Sequence, residues 1–333
     1  MFVEIVPNLV TTIIPVYNRS SLLREAVESV LSQTYPHFEV VIVNDGSTDD
    51  TLILAESLSR QFRDRIRVVS QSNAGPGAAR ERGRGLARGE YIQYLDSDDL
   101  LLETKFEIQV EGLKRHPNAV LAYGKTRAYR IGHKPDDKAS RRTAEEFEFI
   151  FPRFLIERGW HSVTPLYRRA VCDEIGEWSN YRQEEDWEYD CRVGTLNRPL
   201  QYCDEYIADH RHHDGERLCH AWRTDAEALR DRVRAHISIL HSAYAAGIRS
   251  DAPEMKNFIR RLFALARLCG RSDLRNESRR LLRLAEKGAV ERLGEYRMYR
   301  LMANLVGWRR AAVFFESFPG NIGFFDLRRN ARG

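Results

Sequence analysis

The sequence predicts an α/β fold: a mostly parallel sheet flanked by helices, with an added helical region toward the C-terminal end. Three observations predict it. Short β-branched runs alternate with helix-periodic segments through the first hundred residues. Those runs are apolar throughout instead of alternating, which is what a sheet covered on both faces requires. From residue 221 onward the pattern is helical almost without interruption.

The elements follow in order. "LVTTIIPV" (9–16) is a strand. Ser20 and Ser21 can cap a helix whose apolar positions Leu23, Val27, Val30 and Leu31 fall at 3–4 spacing. "FEVVIVND" (38–45) is a second strand, and Thr48 or Asp49 caps a helix to about Phe62. "RIRVVS" (65–70) is a third strand, 77–88 a helix, and "EYIQYLD" (90–96) a fourth strand. A helix near 103–115 precedes "AVLAYG" (119–124), and 131–142 reads as an exposed loop. In "KNFIRRLFALARLCG", Ile259, Leu262, Phe263 and Ala266 form one stripe, and Gly270 is the expected stop. In an open parallel sheet ligands bind beyond the carboxyl ends of the strands. Asn18, Asp45, Asn73 and Asp96 lie at those ends.

A chain of 333 residues is long for one core. Its net charge of +4 hides a split: residues 1–220 hold 29 Lys+Arg against 36 Asp+Glu, and residues 221–333 hold 23 against 12. No run reaches ~18 apolar residues, so no membrane span is expected, and "MFVEIVPNLV" lacks the basic flank of a secretory signal. Five Cys without a C-x-x-C pair fit reduced thiols and a cytoplasmic location.

Four acidic features carry the chemistry: Asp45, "DSDD" (96–99), "EEDWEYD" (184–190) and "HRHHDGE" (210–216). Asp96 and Asp98 flank Ser97 just after a strand, so their carboxylates can converge on a hard cation such as Mg²⁺ or Mn²⁺. The bland alternative is an acidic cap on a helix starting near Leu101. "NDGSTDD" is good turn chemistry, and no EF-hand spacing fits it. "NAGPGAAR" (73–80) is a Gly-rich turn entering a helix, but Arg80 stands where a dinucleotide fingerprint needs Gly. The bland alternative for "EEDWEYD" is a solvated helix face, although Trp187 and Tyr189 do not share one face of it. His210, His212, His213 and Cys203 match no standard zinc spacing.

Together, "TTIIPVYNRSSLLREAVESVLSQTYPHFEVVIVNDGSTDDT", "NAGPGAARERG" and "GEYIQYLDSDDLL" resemble the donor-binding half of family 2 glycosyltransferases across residues 11–102. "GEW" (176–178), "EEDWEYDCR" (184–192) and "HRHHDG" (210–215) extend the resemblance to about 220. It implies a GT-A fold with a Rossmann-like sheet, a donor half (1–102), an acceptor and catalytic half (103–220), and a basic helical extension (221–333). It implies that Pro15, Val16, Tyr17 and Asn18 edge the base, that Asp45 accepts from a uracil ring, and that Gly75 and Arg80 close over the nucleotide. Asp96, Ser97 and Asp98 match the DXD motif, with Asp98 the metal ligand and Asp96 near the ribose or a metal-bound water. Asp186 matches the catalytic base. His213 matches a His that reaches the metal or diphosphate, with His212 as competitor, because His210 replaces the family's Tyr. Trp160, His161 and Glu185 are acceptor candidates, Trp160 and His161 also reading as core.

The implied activity is metal-dependent, inverting transfer of a sugar from a UDP-sugar, with Mn²⁺ or Mg²⁺, to a saccharide or lipid-linked acceptor in cell-surface polysaccharide or glycoconjugate synthesis. A nucleotidyltransferase and a non-catalytic nucleotide-sugar scaffold are the alternatives. Interspersed Glu277, Glu286, Glu291 and Glu295 favour ordinary ion pairs over 271–297. The aromatic and Arg-rich 307–330 is the candidate for peripheral contact with the inner membrane face. Homo-oligomers stay open, and no motif supports nucleic-acid binding.

Overall fold

The computed structural model describes residues 4–213 and 225–316. Cys219, residues 214–216 of the His-rich run and most of 307–330 lie outside them. The described residues fall into two units, one drawn from Met1–Phe149, Gly159–Tyr189 and Asn197–Glu216, the other from Ile150–Arg158, Asp190–Leu196 and Arg217–Gly333.

The first unit is organised by one sheet. In chain order it contains β1 (Val6–Val16), α1 (Ser20–Leu31), β2 (Phe38–Asn44), α2 (Thr51–Gln61), β3 (Ile66–Ser70), α3 (Pro76–Arg84) and β4 (Gly89–Tyr94). Then come β5 (Leu100–Leu101), α4 (Lys105–Arg115), β6 (Leu121–Arg130), β7 (Leu166–Arg168), α5 (Arg169–Ile175) and β8 (Gln201–His212), with α6 (Glu185–Gly194) before the last strand, its residues through Tyr189 in this unit and the rest in the second. The strand order is β3-β2-β1-β4-β7-β6-β8-β5. The pairs β1–β2, β1–β4, β2–β3 and β6–β8 are parallel, and β4–β7, β6–β7 and β5–β8 are antiparallel. The sheet is therefore mixed but mostly parallel, as the apolar runs predicted.

Central β1 is buried from Val10 through Val16, with Ile13 opposite both Val41 and Tyr94. Burial on both faces explains why its sequence does not alternate. Because β1 to β4 run parallel, the residues after each strand meet at one edge.

Three local expectations are corrected. Helix α1 starts at Ser20 with Arg19 as N-cap, and no side chain caps it. Gly270 does not end its helix, which runs on to Arg271. A Cβ at Gly270 would lie 2.6 Å from the Tyr299 hydroxyl, so its smallness serves packing. The DSDD run caps no helix at Leu101; that residue is in β5, and α4 begins at Lys105.

The second unit contains α7 (Ala226–Ala245), α8 (Pro253–Arg271), α9 (Arg275–Gly288), α10 (Leu293–Val306) and α11 (Trp308–Glu316). Its interspersed acids are ion-paired: Glu277 with Arg230, Glu286 with Arg300, Glu291 with Arg260, and Glu295 with Arg292. Within α11, Trp308 and Phe315 are buried while Phe314 is exposed. No described helix is long and apolar enough to cross a membrane.

Helix α3 lies close on the sheet because Gly83 has no side chain. A Cβ there would sit 2.3 Å from Ile13 Cγ2 and 3.2 Å from Val43 Cγ2, both on buried β-branched residues. Alanine normally gains about 1 kcal/mol over glycine inside a helix. Overpacking a core typically costs about 1–3 kcal/mol. Gly83→Ala is therefore expected to lower the urea midpoint, and an unchanged or raised midpoint would show that α3 can move off the sheet.

Candidate active site

The strand ends form a floor tied by short polar bonds. Asp45 N donates to Val16 O at 2.9 Å, so the turn after β1 is fastened to the end of β2. Asn18 holds a left-handed conformation, φ +50°, while its amide donates to Ser47 Oγ and its Oδ1 accepts from Thr48 N. Pro15 and Val16 are buried in β1, and Tyr17 beyond them is 45% exposed. Buried Asp45 accepts from Gln71 Nε2 and Ala74 N on Oδ1 and from Gly75 N on Oδ2, each at 2.9 Å. Gly75 needs its φ of +91°, which turns the chain into α3.

Arg80 leaves α3 and is 3% exposed. Its Nη2 donates to Asp96 Oδ1 at 2.7 Å and its Nη1 to Glu185 Oε1 at 2.8 Å. Its guanidinium lies 4.8 Å over the Trp178 ring, which stacks on Tyr189 at 3.9 Å and 7°. Burial opposes its charge, but Asp96 and Glu185 outweigh that and hold it more basic than usual. A buried, doubly paired guanidinium thus joins the end of β4 to the start of α6.

Glu185 is buried, and its carboxyl is pushed up to about 7 by burial and by the Asp186 charge, against the pull of Arg80. Glu184 adopts φ +60°, so the chain turns sharply into α6. Asp186 follows in the first turn, partly exposed, where the helix amides favour a negative charge. Trp187 N donates to its Oδ1 at 2.7 Å and Ser162 Oγ to its Oδ2 at 3.4 Å. Glu185 and Glu188 are both buried, so the run is not a solvated helix face.

The DSD run places Ser97 in the interior and turns back on itself, with Asp99 N donating to Asp96 O. Asp98 Oδ2 is 3.0 Å from His213 Nε2 and accepts a short bond from Arg19 Nη1. Burial would raise the Asp98 carboxyl, but neighbouring positive charge, that of Arg19 foremost, holds it below the usual range. Asp99, 1% exposed, accepts from Arg211 N and meets His210 Nδ1 at 3.1 Å. Burial and the neighbouring Asp98 and Asp96 charges raise its carboxyl to about 6, despite His210. His210 stacks on His161 at 3.9 Å, and His161 Nε2 is 2.9 Å from Ser140 Oγ.

Asp96, Arg80, Glu185 and Asp186 are therefore brought together, as are Asp98 and His213. His212 is exposed, and His213 is the one at Asp98. Trp160 is a correction as an acceptor candidate: it is fully buried against Tyr123 and Phe147. Sequence reasoning missed Arg19, Asp99, Ser162 and Trp178. Of these, Trp178 had a signal in the "GEW" motif and Asp99 in the "DSDD" run.

Carboxylate oxygens suit Mn²⁺ or Mg²⁺, which fill the rest of their shell with water and phosphate. Asp98 fits that pattern, and His213 sets an imidazole nitrogen beside it. Among the described residues no three metal-binding side chains cluster.

A family model described as "Glycosyl transferase family 2" matches residues 11–176. Through this segment the chain belongs to glycosyl transferase family 2. An uncharacterized glycosyltransferase of Rickettsia typhi is 33% identical over 220 residues, 62% of this chain and 65% of that protein. One of Rickettsia felis is 47% identical over 107 residues, 32% of this chain and 17% of that protein. The chain thus spans less than two thirds of the length of these relatives. Staphylococcus aureus TarS 1–349 in complex with UDP-GlcNAc superposes with TM-score 0.66 at 20% identity, covering 97% of this chain and 91% of that one. A Pyrobaculum calidifontis mannosyltransferase with GDP-Man and Mn²⁺ gives TM-score 0.52 at 18% identity, covering 92% and 86%. These likenesses establish the GT-A fold with added C-terminal helices.

The raised Glu185 carboxyl has a consequence for stability. The folded state keeps this proton up to about pH 7, whereas an unfolded Glu releases it near its ordinary 4.5. This group therefore costs stability progressively as pH rises through that window. Urea unfolding at pH 5 and pH 8 should show Glu185→Gln gaining on the wild type at the higher pH. A pH-independent difference would contradict the raised carboxyl.

Proposed function

We propose that the protein is a metal-dependent, inverting glycosyltransferase that uses a UDP-sugar donor and a saccharide or lipid-linked saccharide acceptor. Cell-surface polysaccharide or glycoconjugate synthesis is the pathway class. The observation that carries this reading is the Arg80 bridge, which sets the Asp186 turn beside the DSD end of β4. The TarS likeness, with its UDP-GlcNAc, supports the choice of donor nucleotide.

The residues divide the work. Tyr17 and Asp45 face the base, and Asp96 faces the ribose while Arg80 holds its carboxylate. Asp98 and His213 would hold Mn²⁺ or Mg²⁺, which offsets charge developing on the diphosphate. An acceptor hydroxyl is too weak an acid to attack unaided, so Asp186 takes its proton as the new bond to the anomeric carbon forms. The bond from that carbon to the diphosphate oxygen breaks on the opposite face, which inverts the centre. Ser162 and Trp187 N keep the Asp186 carboxylate oriented. His210, partly exposed and stacked on the buried His161, is the imidazole offered to the acceptor side.

Asp186→Asn tests the base. A UDP-sugar panel with Mn²⁺ identifies the donor by thermal shift, since a ligand of the folded state raises its stability. With that donor, transfer should fall ~10²–10⁴-fold while donor affinity stays nearly unchanged. Undiminished transfer would remove Asp186 from the role. Release of pyrophosphate in place of a nucleoside diphosphate would point to nucleotidyl transfer.

A further inference from the structure

The carboxylate assigned to the metal already faces a cation of the chain's own. Arg19 Nη1 donates to Asp98 Oδ2 and lies 2.8 Å from His213 Nε2, and that oxygen and that ring nitrogen are 3.0 Å apart. A guanidinium Nη1 carries two protons. With His213 protonated on Nδ1, one proton meets the Asp98 oxygen and the other the Nε2 lone pair. Two lone pairs of the kind a divalent cation requires thus converge on one nitrogen. The arrangement is held from behind, since Arg19 N donates to Thr51 Oγ1 at 2.9 Å and the preceding Asn18 is pinned by Ser47 and Thr48. Both charged side chains are sheltered, at 23% and 20% exposure.

We propose that Arg19 is the resident counter-cation of the Asp98–His213 pair, and that a divalent cation displaces its guanidinium onto the donor's diphosphate. The proposal rests on the metal role given above to Asp98 and His213. Without nucleotide, Arg19 and the cation compete for the same two acceptors. With nucleotide, the released guanidinium has phosphate oxygens to pair with, and its planar fork matches them bidentately. Arg19 therefore opposes cation binding to the empty protein and favours it once diphosphate is present, which couples the two ligands. The arrangement also keeps Asp98 from being left as an uncompensated carboxylate between turnovers.

The test is Mn²⁺ binding read from the electron paramagnetic resonance signal of the free ion, with and without UDP. It uses the full chain as wild type, Arg19→Gln, Arg19→Lys and Asp98→Asn. Without nucleotide, Arg19→Gln should bind Mn²⁺ on the order of tenfold more tightly than wild type, as loss of a sheltered competing pair implies. UDP should tighten Mn²⁺ binding more in wild type than in Arg19→Gln. Arg19→Lys keeps the charge without the fork, should fall between them, and serves if Arg19→Gln does not fold. Mn²⁺ affinity unchanged or weakened in Arg19→Gln, with Asp98→Asn impaired, would overturn the Arg19 proposal and leave the metal site standing. Wild-type Mn²⁺ affinity in Asp98→Asn would overturn the metal reading and the proposal with it.

Discussion

The site depends on one buried guanidinium. Arg80 touches the first acid after β4 with one nitrogen and the first residue of α6 with another. Asp96 and Glu185 are 89 positions apart in the chain, and each would repel the other if brought together unpaired. A buried cation with two carboxylates is favourable only when the charges are paired at hydrogen-bond distance. The platform of Trp178, Tyr189 and Tyr94 supplies that low-dielectric setting, with the Arg80 charge over an aromatic face. Arginine suits this place better than lysine, because its fork reaches two partners at fixed geometry.

The same logic recurs along the carboxyl edge of the sheet. Asp45 is met by backbone amides of the turn entering α3, Asp98 by Arg19, and Asp99 by His210 and the Arg211 amide. The acids that made the first 220 residues net negative are thus not a loose anionic rim. Asp45, Asp98 and Asp99 each have an internal donor, and burial, neighbouring acids and those donors together set which carboxylate stays ionised and which keeps its proton. Glu185 and Asp99 are raised toward neutral pH while Asp98 is held low.

Much of this was legible in the sequence, for reasons particular to each element. β1 to β4 announce themselves because burial on both faces removes polar residues from the strands. The strand-end acids stand out against that background, so Asp45 and Asp96 were found where the strands stop. Helix starts were less legible: Ser20 looks like a cap, but the chain turns one residue earlier at Arg19. Pairings between distant residues left no local mark. Nothing in "YNRSS" says that Arg19 meets Asp98, because that contact is made by the turn after β1 and the loop after β4 across the sheet. Trp160 reads both ways in the sequence, as a sugar-stacking aromatic beside a candidate His or as core, and the structure makes it core.

The central claim is that Arg80 carries the link between the donor-side acid and the base-bearing turn. A double-mutant cycle of Asp96→Asn and Glu185→Gln, read in unfolding free energy, measures it directly, since Arg80 bonds both carboxylates. The account predicts an interaction of about 1 kcal/mol or more that changes by a similar amount in an Arg80→Met background, where the two carboxyl groups meet unpaired. Additive single effects, or a coupling left unchanged by loss of Arg80, would contradict it.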